Sequence, residues 1–190
     1  MRTSCRVALG AFASALLIGC AEHDTAAPAL DTEAVFAHRA DPAAAMGEPA
    51  AQRNFVAVLS SADAGTDSKG RGVAMFQLSH DGTMLRYRLN VANIENVLMA
   101  HIHIAPAGAN GPVAVWLYPS GPPPQLLPGR FQGVLATGTI TDANLVGPLA
   151  GMTLADLVTM LDGNMAYVNV HTHQHPGGEI RGQISVPHGR

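Results

Sequence analysis

Five histidines in two short stretches carry most of the chemistry this chain can offer. "MAHIHIAPAGANGPV" sets His101 and His103 two residues apart. "AYVNVHTHQHPGGEIRGQI", residues 166–184, sets His171, His173 and His175 at alternate positions and follows them with Glu179 and Arg181. Residues i and i+2 of an extended strand share a face, about 6.5–7 Å apart along it, so a His-x-His pair brings two imidazoles to one ion. Imidazole suits zinc and copper. The other reading of the same residues is a polar binding face.

Strand parity sorts them. Met99, His101 and His103 point one way, and Ala100, Ile102 and Ile104 the other. In the second stretch Tyr167, Asn169, His171 and His173 oppose Val168, Val170 and Thr172. A hairpin closed by "QHPGG" with His173 opposite Glu179 puts His171 opposite Arg181 and Asn169 opposite Gln183. His171, His173, Glu179 and Arg181 then share a face, where cross-strand neighbours touch. Glu179 either completes a coordination sphere, orients an imidazole, or pairs with Arg181. Asn169 is expected to hydrogen-bond near the histidines. Four imidazoles meet only if the "HIH" strand lies beside this hairpin, and the sequence does not fix that adjacency.

The elements that must position these residues read mainly as β. "FVAVLSS" opens the domain. "GRGVAMFQLSHDGTMLRYRLNV" reads as a hairpin about Asp81-Gly82, with Leu85, Tyr87, Leu89 and Val91 on one face of its second strand. "VLMAHIHIA", "PVAVWLY" and "FQGVLATGTIT" read as further strands, and the proline-rich "PSGPPPQLLPG" as a loop. Trp116 and Tyr118 alternate with Val115 and Leu117 on the other sheet face, which reads as core or edge packing before a ligand platform. "TLADLVTMLDGN" reads as a helix. Thr153 and Asp156 form a capping-box start, Leu154, Leu157, Val158 and Leu161 share a face, and Gly163 stops it. "MAYVNVHTH" and "EIRGQISV" close the chain. Short strands between Gly and Pro turns, with one short helix, predict an antiparallel β-sandwich or Greek-key-like barrel.

The N-terminus reads as a targeting segment. Arg2 and Arg6 precede the uncharged apolar run "VALGAFASALLI", which suits a signal peptide better than a membrane span. Leu17-Ile18-Gly19-Cys20 resembles the bacterial lipobox. That resemblance implies a signal over residues 1–19, lipid on Cys20, and, with Ala21 following, the outer membrane of a Gram-negative cell envelope. Cys5 and Cys20 are the two cysteines, so the mature domain is expected to hold no disulfide or thiolate ligand. Residues 20–52, rich in Ala and Pro, read as a flexible tether, and 53–188 as one domain. The net charge is −3 and basic residues do not cluster, which argues against nucleic acid as a partner. No G-x-S-x-G occurs, and no serine or threonine stands out as a nucleophile.

"AHIHIAPAGANGPV" together with "YVNVHTHQHPGGEIRGQI" resembles the two signature blocks of the CHRD domain. The resemblance spans about Phe55 to Val186. Residue by residue it covers His101, His103, Gly111, Pro112, Tyr167, Asn169, His171, Thr172, Pro176, Gly178, Glu179, Arg181 and Gly182. It implies an extracellular β-rich module with no settled activity. His173 and His175 fall where the pattern makes no demand. The resemblance therefore favours a three-histidine core of His101, His103 and His171, with Glu179 near it as ligand or support.

Two functions follow as expectations. The first is an envelope lipoprotein whose single domain is a binding or structural module, with or without zinc or copper held by the histidines. Its partners would be the membrane, through the lipid, and a protein or small ligand. The second is a metal-dependent redox enzyme, because copper-zinc superoxide dismutase builds a copper site on β-sandwich strands with a similar spacing. This chain lacks the cysteine pair of those enzymes. A cluster of imidazoles that repel once charged, sensing pH, is a third and weaker expectation.

Overall fold

The structure, a computed structural model, describes residues 53–187. The expected signal peptide, lipidated Cys20 and tether lie outside the described residues, as does His188.

The described residues form seven strands: β1 (Asn54–Ser60), β2 (Arg71–Leu78), β3 (Leu85–Ile104), β4 (Val113–Tyr118), β5 (Leu127–Ile140), β6 (Ala166–Thr172) and β7 (Ile180–Gln183). They pair in the order β2-β1-β7-β6-β3-β4, with β5 also on β3, and a β2–β3 pairing closes the path into a barrel. Every pairing is antiparallel. The predicted β-rich barrel is the observed architecture.

Alternation explains the inner wall. Phe55, Ala57 and Leu59 of β1 face Phe76, Ala74 and Gly72 of β2, and all but Gly72 belong to the apolar core. The β2–β3 turn forms as its residues demand. Gly82 takes φ +71°, and the Asp81 carboxylate accepts from Ser79 Oγ, Thr83 N and Thr83 Oγ1. Those bonds hold the Asp81 carboxyl down to about 2.

The sequence divides residues 85–104 into two strands, whereas the chain forms one strand of 20 residues. Its inward residues are Leu85, Leu89 and Val91, then Ile94 and Val97, then Ala100 and Ile102. The inward parity changes because the pairing slips between Val91 and Ile94, Glu95 and Val97, and Val97 and Met99. Asn93 and Asn96 stand at φ +55° and +53° within these slips. Asn tolerates left-handed backbone better than other non-glycine residues, and bulges bend a strand without ending it. One strand thus pairs with β2 and β5 through its first half and with β6 and β4 through its second.

β5 starts four residues earlier than the sequence suggests, at Leu127. Among the described pairings it meets only β3, and an edge strand accommodates Pro128. The predicted helix is α2 (Leu154–Asp162), capped at Thr153, with the four expected apolar residues buried. Its first turn is closed by Asp156 Oδ2, which accepts from Thr153 N at 2.9 Å and Thr153 Oγ1 at 2.7 Å. A further one-turn helix, α1 (Ser61–Ala64), follows β1, with Ser60 as its N-cap.

β6 is the element that links core and site. It is paired on both edges and all seven of its residues are buried. Val168 and Val170 enter the barrel core, while Tyr167, Asn169 and His171 occupy the opposite face.

Candidate metal centre

β3 and β6 are neighbours, so the two histidine stretches meet. In register, His103 lies opposite Tyr167, His101 opposite Asn169, and Met99 opposite His171. Of the three histidines, each contributes one nitrogen to a set whose members all lie within 4.8 Å of one another. The ring centroids are 5.6 Å apart for His101–His103, 5.1 Å for His101–His171 and 5.9 Å for His103–His171. All three side chains are buried.

Two of the rings have their tautomers fixed by backbone. His103 Nδ1 lies 2.9 Å from the Gly111 carbonyl, and His171 Nδ1 lies 2.8 Å from the Pro176 carbonyl. A carbonyl only accepts, so each Nδ1 carries the proton and each Nε2 keeps a lone pair. This is the support that metal-ligating histidines ordinarily have. His171 Nε2 faces His101 Nδ1 at 3.3 Å, while His101 Nε2 and His103 Nε2 are buried with no hydrogen-bond partner. Burial is the main force holding all three rings below the usual histidine range, with His101 lowered to about 3. Neighbouring positive charge adds to it: His171 and His103 act on His101, Arg181 on His103, and His103 and Arg181 on His171. The triad is therefore neutral near pH 7, the state in which imidazole ligates.

The walls are close-fitting. Trp116 lies opposite His101 across the β3–β4 pairing and meets it edge-on at 4.2 Å between centroids. Tyr167 stacks on His103 at 4.9 Å and 10°. The loops over this face depend on glycine. A Cβ on Gly111 would stand 2.0 Å from the Ile104 carbonyl oxygen, and one on Gly178, at φ +119°, would stand 2.2 Å from Asn169 Oδ1. Asn169 Nδ2 donates to the Gly177 carbonyl at 3.1 Å, tying the second loop down. A cleft of about 730 Å³ between these loops and α1 reaches His103, His171, Asn169 and Arg181. A separate groove of about 520 Å³ beside Phe55, Met75 and Tyr87 holds none of these histidines.

The β6–β7 register differs from the expected one by two residues. Asn169 pairs with Arg181 and Tyr167 with Gln183. The even offset preserves which residues share a face but lengthens the connection, so β6 ends at Thr172 and His173 is exposed, apart from the triad. Glu179 also lies outside the triad. Gly178 turns the chain just before β7 begins, and the Glu179 carboxylate accepts from Ser68 Oγ at 2.5 Å and Thr172 Oγ1 at 2.7 Å. Arg181 is not ion-paired with Glu179. Its guanidinium carbon lies 4.7 Å from the Tyr167 ring centre, a cation–π contact. Asn169 does bond beside the histidines, as expected of it. Trp116 and the carbonyls of Gly111 and Pro176 are the site groups that sequence reasoning undervalued. Parity places Trp116 on the histidine side of its strand, but backbone carbonyls leave no mark in a sequence.

The sequence model of the CHRD domain matches residues 55–184. The chain belongs to the CHRD family. The match takes in every strand that builds the barrel and both stretches that supply the triad. No curated protein matches the chain. Within this CHRD domain the donor set fits a borderline transition-metal ion. It consists of three neutral nitrogens with no thiolate, and two buried lone pairs have no other partner.

Proposed function

We propose that this chain is a cell-envelope binding module whose CHRD domain holds one zinc or copper ion on His101, His103 and His171. The observation that carries the reading is the convergence of three buried imidazoles, one nitrogen of each within 4.8 Å of the others, with the buried His103 Nε2 left unpartnered. A buried acceptor without a partner costs about 1–3 kcal/mol, and an ion would offset that cost. Two of the three rings are already oriented by carbonyls. Bound metal would act as a Lewis acid there and tie β3 to β6. Lipid attachment at Cys20 to the outer membrane is part of the same proposal, supported by Arg2, Arg6 and the apolar run that ends at the cysteine.

The test is metal content and affinity of the purified full chain, made with Cys20→Ser and without a histidine tag. One equivalent of Zn²⁺ or Cu²⁺ is expected, lost in His101→Ala and His171→Ala. Substoichiometric metal after saturation would sink the reading. Loss of labelled palmitate from cells expressing Cys20→Ser would support the anchor, and unchanged labelling would refute it.

A redox or hydrolytic enzyme is the second reading. The observation favouring it is the cleft, which leaves His103 and His171 approachable, as a catalytic ion with an open position requires. Dismutase activity of the copper-loaded chain that vanishes in His171→Ala would select it. Tight metal with no turnover would leave the binding module.

A further inference from the structure

Arg181 is a fixed positive charge on the wall of the cleft, and among the described residues no carboxylate answers it. The ion pair found there joins Arg53 to Asp162. Glu179, two residues away, commits its oxygens to Ser68 and Thr172. The opposite residue in the sheet is Asn169, a neutral amide, and Arg181 Nε is buried without a partner. The histidines beside it are neutral. Asp63 also lines the cleft, but its carboxylate accepts from Ser60 Oγ at 2.7 Å and forms no ion pair with Arg181, so the guanidinium has no paired counterion, and a divalent ion on the triad would add two more positive charges. Such a site draws in anions.

Geometry narrows the kind of anion. A guanidinium presents a planar fork that matches a carboxylate through two parallel hydrogen bonds. Contact with the Tyr167 ring, 4.7 Å from the guanidinium carbon, restricts how the fork can turn. The volume, about 730 Å³, exceeds what a bare ion needs and lies in the range of small-molecule sites. Gly108, Gly111, Gly177 and Gly178 line it, so parts of its rim carry no side chain.

We infer that the cleft binds a small carboxylate-bearing molecule, with Arg181 gripping the carboxylate beside His103 and His171. The inference deepens the metal reading of the same site, and its second arm rests on that reading. The test follows the Nε–Hε resonance of Arg181 in the ¹⁵N-labelled chain, assigned by its loss in Arg181→Lys and Arg181→Gln. In metal-free protein, formate and acetate are expected to shift it saturably, while chloride at equal ionic strength does not. One equivalent of Zn²⁺ is expected to lower the half-saturating formate concentration at least tenfold. No saturable shift in either form overturns the inference, as does an equal response to chloride. Bound zinc with unchanged formate affinity overturns the shared site. Failure of zinc to bind at all sinks the metal reading alone, because the metal-free titration still reads Arg181 directly.

Discussion

His101 Nδ1 lies 3.3 Å from His171 Nε2, across the β3–β6 pairing. Two nitrogens bound to one tetrahedral ion at 2.0–2.1 Å stand roughly 3.4 Å apart. The separation therefore suits a shared ion as well as a hydrogen bond. Zinc at a free concentration of 100 Kd should stabilise the folded chain by about 2.7 kcal/mol. For a domain of this size that raises Tm by roughly 10 °C. His171→Ala should abolish the zinc-dependent rise in calorimetry. A rise that persists in this variant would place the ion elsewhere.

Gly178 and its neighbour give a matched pair of substitutions. A Cβ at Gly178 meets Asn169 Oδ1 at 2.2 Å on left-handed backbone, whereas a Cβ at Gly177 meets nothing within 4 Å. Gly178→Ala should destabilise by about 1–3 kcal/mol and weaken metal binding, since the loop it distorts carries the Pro176 carbonyl that orients His171. Gly177→Ala should stay within about 0.5 kcal/mol of the parent. Equal effects in urea melts would show that the loop does not register on the site.

Glu179→Gln separates support from ligation. The carboxylate accepts from Ser68 and Thr172 and is buried, so the change should cost about 1–3 kcal/mol of stability. Zinc affinity, read by calorimetric titration, should remain within a factor of three of the parent. A loss of a hundredfold would return Glu179 to the ion.

Acid should destabilise the metal-free chain. All three triad histidines titrate below the ordinary value of 6.5, His101 at about 3. Above about pH 6.5 the folded and unfolded histidines are alike neutral, and stability is fully present. Below it the unfolded chain takes up protons that the folded triad refuses. Stability is then lost as pH falls toward the folded values, by about 1.4 kcal/mol per pH unit for each histidine inside its window. Urea melts at pH 7.5, 6 and 5 should show this decline, and His101→Gln should flatten it. A parent curve without slope over that range would contradict the neutral triad.

Much of the fold was legible because its signals are local. The Asp81-Gly82 turn and the Thr153–Asp156 cap each sit within a few residues, and the alternation of Val168 and Val170 with Asn169 and His171 needs no partner. Legibility failed where a long-range fact decided the outcome. Residues 92–96 fall between two predicted strands, yet pairing with β5 at Ile94 and Glu95 carries β3 through them. The β6–β7 register turns on a loop closed by the Thr172 and Glu179 side chains, a contact that neither strand parity nor the resemblance encodes. His101, His103 and His171 could be named from spacing and resemblance. Their mutual distances depend on β3 lying beside β6, which no spacing within either stretch encodes.

The triad spans a sequence separation of 70 residues between His101 and His171. A chain made from its N-terminus presents His101 and His103 long before the third ligand exists, and a two-nitrogen fragment holds an ion weakly. On the proposed metal reading, full chelation would wait until β6 lies between its neighbours β3 and β7. Choice of ion would then be postponed until that pairing forms, and the metal pool that counts would be the one surrounding the chain at that moment.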